Sequence, residues 1–150
     1  MVSPFDPKSI LLAKHAQHVV LIHFPIALFL TAVAFDLAAQ WKKDVATLPV
    51  IARYNLMLAA LMSIPAALTG ILAWRWQLEG QRLKGVLLMH LVLGLSSTVL
   101  IWTVWLIHRL SRRRGGALPL YRLPIELAAA AVIALTAHLG GFLSGVNLPG

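Results

Sequence analysis

At 150 residues, 59% hydrophobic and only 12% charged, with a mean hydropathy of +0.81, the chain carries more apolar surface than a soluble domain can hide, since such domains are about 25% charged. The formal net charge of +8 does not point to nucleic acid, because the basic residues fall between apolar runs, as cationic loops beside membrane spans do. The absence of cysteine excludes disulfides, thiolate metal sites, iron–sulfur clusters and covalent c-type haem.

Residues 1–17 are too polar for the apolar stretch of a signal peptide, so no cleavage is expected and the first span serves as its own uncleaved signal. Four stretches are long enough to cross roughly 30 Å of hydrocarbon at about 1.5 Å per residue. The first is expected at 18–39 and ends in the polar break from Gln40 to Asp44. The second, 48–73, opens beside Pro49, where a helix start tolerates proline; Pro25 and Pro65 lie inside the first two spans and each removes a backbone donor. Arg75 to Lys84 separates it from a third span at 85–107, and the run from Arg109 to Gly116 precedes a fourth at 123–143. Long helices with short connections predict an all-α fold: a four-transmembrane-helix up-down bundle forming a single integral membrane domain over 1–150.

Lys and Arg set the expected orientation. One side receives Lys8, Lys14, Arg75, Arg82 and Lys84, five in all; the other receives Lys42, Lys43, Arg53, Arg109, Arg112, Arg113, Arg114 and Arg122, eight in all. The positive-inside rule then places the second group in the cytoplasm and both termini in the periplasm of a bacterial inner membrane. Trp41, Trp102, Trp105 and Tyr121 belong to the cytoplasmic aromatic belt, and Trp74 and Trp76 to the opposite one.

Five of the six histidines belong to the end of the bundle that carries the termini. His23, His90 and His138 each lie about five residues inside a span, about 8 Å below one interface. His15 and His18 are shallower on that side. His108 alone falls at the opposite end beside Arg109, where it is expected to face headgroups and to be dispensable for any cofactor. The three deep histidines share helical faces with small residues: His23 with Ala27, Thr31, Ala34 and Ala38; His90 with Gly94 and Ser97; His138 with Ala131, Ala134, Gly141 and Gly145. The second span has its own small stripe, Ala59, Ser63, Ala66, Gly70 and Ala73. Such spacing is the ordinary mark of close helix packing in lipid, where a histidine needs a hydrogen bond, a ligand or water.

These residues suit a noncovalent haem b, with axial ligands drawn from His23, His90 and His138, the pair most simply including His90, and with Arg75, Arg82 and Lys84 against the propionates. His18 points about 140° from His23 on an ideal helix and is left for a second haem or a metal. The three imidazoles could hold copper or zinc instead. Asp36 and Glu126, near the other end, suit a proton or quinone site or local pairing with Arg122 or Lys42, and Arg112–Arg114 suits anionic headgroups of membrane lipids. There is no phosphate-binding loop and no catalytic Ser-His-Asp order, so the chain is not expected to be catalytic alone.

The stretch His-Ala-Gln-His-Val-Val-Leu-Ile-His-Phe-Pro-Ile-Ala-Leu, from His15 to Leu28, resembles the N-terminal pattern of a family of small bacterial membrane proteins labelled DUF2231. Asp36 matches the family's Asp near the end of span one, Leu68-Thr69-Gly70 a Leu-x-Gly in span two, His90 a histidine early in span three, and Leu139-Gly140-Gly141 the Leu-Gly-Gly closing span four. The chain departs from the pattern at Val19, where a proline is usual, in lacking an Asp after the glycine of span two, and in a tail shortened to Gly145-Val146-Asn147, without the usual histidine. His138 stands in for that histidine or marks a different ligation. The label states no function; the resemblance implies partners such as cytochrome c or dehydrogenase modules.

Two readings follow. The first is a haem b-binding electron-transfer subunit of a larger respiratory or photosynthetic complex, passing electrons between a periplasmic donor and a quinone or second cofactor. The alternative is a non-redox accessory subunit whose histidines hydrogen-bond between helices or bind pigment, metal or lipid. A transporter ranks third, since no inverted repeat is evident.

Overall fold

A computed structural model of the chain describes residues 16–42, 45–76, 78–115 and 117–144. His15 and the Gly145-Val146-Asn147 tail lie outside the described residues. The described chain is four helices: α1 (Ala16–Trp41), α2 (Thr47–Trp76), α3 (Gly85–Arg113) and α4 (Arg122–Leu143), each long and apolar enough to span a membrane. They form an up-down bundle in which α1 packs chiefly on α2 and α3 on α4. Contact between α2 and α3 joins the two hairpins, and α1 meets α4 only thinly.

Each expected stretch falls within one helix, and two of the helices run further. α2 runs to Trp76, and α3 continues well past residue 107, so Arg109, Arg112 and Arg113 are helical rather than part of a loop. Arginine is a good helix former, and nothing interrupts the run until Gly115, whose φ of 64° ends it in the left-handed region. Both α1 and α2 continue through their internal prolines, Pro25 and Pro65. The short α2–α3 connection turns at Glu79 and Gly80, both at positive φ, and Trp74 Nε1 donates to the Gln81 carbonyl across it.

One apolar core runs along the axis. Phe29, Ala32 and Val33 of α1 meet Leu56, Ala59 and Ala60 of α2, Ile101 and Val104 of α3, and Ala129 and Ile133 of α4. The small stripe of α2 lies inside as expected, with Ala59, Ser63, Ala66 and Ala73 buried; small side chains let the α1 backbone approach closely, which explains the extent of that pairing. Large apolar side chains such as Leu61, Leu68, Val92 and Val99 point outward. That inversion of the soluble pattern is the surface a lipid environment wants.

Candidate functional site

At the end of the bundle carrying the termini, the two hairpins use the same device. His18 of α1 reaches α2, where its Nδ1 lies 3.2 Å from Thr69 Oγ1. Thr69 directs its single hydroxyl proton to the carbonyls of Pro65 and Ala66, so it accepts from His18. The ring fills the space above Gly70, where an added Cβ would lie 2.9 Å from His18 Cε1. In the second hairpin His90 of α3 donates from Nδ1 to the Thr136 carbonyl at 3.1 Å, and its ring covers Gly140, where a Cβ would come within 3.1 Å of Cε1. Thr136 Oγ1 donates to Val132 and therefore accepts from Ser97 at 3.1 Å.

This geometry bears on three expectations. Gly94, on the face of His90, makes ordinary contact with Thr136, so α4 takes the room beside it. His18, read from the sequence as the shallower histidine of span one, is half-buried and bonded across the hairpin. His23 and His138 do not face the bundle interior: both are exposed, together with Ala27, Thr31 and Ala34 on α1 and Ala131 and Ala134 on α4. These small stripes lie on outer faces, with helical spacing correct and the phase reversed. His23 Nδ1 donates to the Val19 carbonyl at 2.6 Å, leaving Nε2 outward. His138 makes an edge contact with Phe142 at 5.0 Å between ring centres. Arg75 is exposed over the Trp74 ring at 5.9 Å, and Arg82 and Lys84 are exposed beside it.

His18 occupies the space beside Gly70 and His90 that beside Gly140, while His23 and His138 lie on exposed faces.

The opposite, basic end holds a second cluster, fully buried. Arg122 of α4 places Nη2 2.7 Å and Nε 2.9 Å from Asp36 Oδ2 of α1, and its Nε lies 3.8 Å from Glu126 Oε1. His108 of α3 meets Glu126 Oε1 through Nε2 at 2.8 Å. Pairing of Asp36 with Arg122 was anticipated. His108 facing headgroups was not correct: it is 5% exposed and part of the cluster. The missed signal is the stripe Ser97, Ile101, Val104 and His108, which keeps the inward helical phase beyond the expected end of the span.

The cluster ties α1, α3 and α4 together where apolar contact between α1 and α4 is thin. Asp36 and Arg122 cancel one another's charge, as a low-dielectric interior requires of buried ions. Among the described residues, Asp36 Oδ1 and Glu126 Oε2 are buried without a hydrogen-bond partner, so the cluster has acceptor capacity to spare. Among the described residues, the three ligand-type side chains whose donor atoms come within 4.8 Å of one another are Asp36, His108 and Glu126, not the three deep histidines. The adjacent Arg122 guanidinium opposes a divalent cation there.

The family described as a predicted membrane protein, DUF2231, matches residues 14–146. No curated protein and no solved structure matches the chain.

Proposed function

The chain belongs to the DUF2231 family of predicted membrane proteins, and from that premise we propose that it is an accessory subunit of a larger inner-membrane complex, assembled through the outer faces of α1 and α4. The observation that carries this reading is the outward placement of His23 and His138 on small-residue stripes. The outward Nε2 of His23 is costly against hydrocarbon and is relieved by a polar partner, and small residues on both stripes let a neighbouring helix approach closely. His18 and His90 support the reading from inside, since their hydrogen bonds join helices. Native mass spectrometry from mild detergent tests it. The expected result is an assembly heavier than the 16.4 kDa chain; a monomer under every condition that preserves the membrane complex contradicts it.

One observation favours a redox role within that assembly. His23 donates Nδ1–H to a backbone carbonyl, the orientation that fixes the tautomer of metal-bound histidines and presents Nε2 as ligand. In this second reading a haem b lies outside the bundle, ligated by His23 and by a side chain of a partner such as a cytochrome subunit. A dithionite-reduced minus oxidised spectrum of the purified assembly should then show a b-type band that His23→Ala removes. A band insensitive to His23 and His138 substitution sinks it.

A further inference from the structure

Between α2 and α3 at the basic end lies a groove of two lobes, of ≈ 330 Å³ and ≈ 350 Å³. Arg53 and Arg112 border both lobes, and Arg109 and Arg113 border the first. The remaining wall is mainly apolar, with Met57 and Trp105 in one lobe and Val50 and Leu118 in the other, and no carboxylate lines either. Among the described residues none of these four arginines is ion-paired with a carboxylate, unlike Arg122. Two are held over aromatic rings, Arg53 at 4.7 Å from the centre of Tyr54 and Arg109 at 5.0 Å from that of Trp105. Stacking restrains these side chains and lowers the entropy lost on binding.

From this arrangement we propose that the groove is a binding site for one anionic phospholipid, its phosphate held by Arg53 and Arg112 and its glycerol and upper acyl segments lying on Met57 and Trp105. The charge is complementary and, among the described residues, not paired with a carboxylate, and guanidinium forks suit phosphate oxygens. The apolar wall chooses lipid over a free anion, because a soluble phosphate gains nothing from Met57 or Trp105. The position agrees too: the groove lies where α2 begins and α3 ends, at headgroup level, and basic pockets between spans are where anionic headgroups bind. His108 lines the second lobe, so the bound headgroup would cover the approach to the buried cluster.

Native mass spectrometry of the full chain tests the site, with dioleoyl phosphatidylglycerol, dioleoyl phosphatidylcholine and inorganic phosphate as separate probes. Phosphatidylglycerol should be retained at least roughly tenfold better than phosphatidylcholine, and Arg53→Gln/Arg112→Gln should weaken its retention roughly 30-fold. Lys42→Gln, exposed at the same end and outside both lobes, should leave retention unchanged. Equal retention of the two lipids overturns the proposal. So does displacement of phosphatidylglycerol by millimolar phosphate, which marks a plain anion site, or an equal loss in Lys42→Gln, which marks unspecific attraction to the basic end. If the double variant does not fold, thermal unfolding of the unmodified chain decides. Stabilisation by phosphatidylglycerol and not by phosphatidylcholine or phosphate supports the site, and equal stabilisation by all three rejects it.

Discussion

Arg122 brings a full charge into the bundle at 1% exposure, and Asp36 meets it at 2% exposure. Desolvating both ions offsets most of their attraction, so the pair need not make the fold much more stable than an apolar pair of equal shape would. Removing one member is different, because the other charge is left buried and unpaired. Arg122→Ala is therefore expected to lower stability by about 3–5 kcal/mol, and Asp36→Ala/Arg122→Ala to recover part of that loss. Unfolding by denaturing detergent, followed by far-ultraviolet circular dichroism, measures both; additive effects contradict the coupling.

The two imidazole–glycine contacts make a separate case. A methyl group at Gly70 must displace the His18 ring, so Gly70→Ala should cost about 1–3 kcal/mol in the native background and much less with His18→Ala. Equal costs in both backgrounds place the clash elsewhere. At this scale the sequence was legible in part: Asp36 and Glu126 stood out as charges in apolar runs, with pairing to Arg122 or Lys42 as one of two readings, while Arg122 itself read as a loop cation just outside span four. His108 was misread because Arg109 beside it suggested an interfacial position. Only the continued phase of Ser97, Ile101 and Val104 separates a buried histidine from an exposed one there.

Helix by helix, hydropathy placed all four spans, since length and apolarity are what lipid demands. Facing was harder to read. Small residues recur at helical spacing on α1, α2 and α4, yet only the α2 stripe turns inward, while those of α1 and α4 lie on outer faces. Spacing defines a stripe but not whether its neighbour belongs to the same chain. The charge count changes as well. Arg122 is committed to Asp36, so the eight basic residues of the basic end become seven against five. The sign of the bias is kept, with Arg112–Arg114 exposed at the end of α3. A reporter fused after Arg114 is expected to be active only as a cytoplasmic enzyme, and one at the C-terminus only as a periplasmic one. Periplasmic activity after Arg114 would reverse the orientation and leave the bundle intact.

Taken whole, the molecule has a closed interior and an unfinished outside. Inside, apolar packing runs along the axis, two histidines are bonded between helices at one end, and an ionic cluster ties three helices at the other. Outside, His23 and His138 stand on small-residue faces suited to a neighbouring helix. The chain's lack of cysteine makes single-cysteine cross-linking in native membranes the most direct test of whether those faces are occupied. Ala34→Cys and Ala131→Cys, both outward, should each give one discrete cross-linked species whose second chain mass spectrometry can identify, while Ala59→Cys, fully buried, should give none. Absence of any discrete product from both outward positions, with the spans correctly inserted, would contradict the assembly account and leave those faces to lipid.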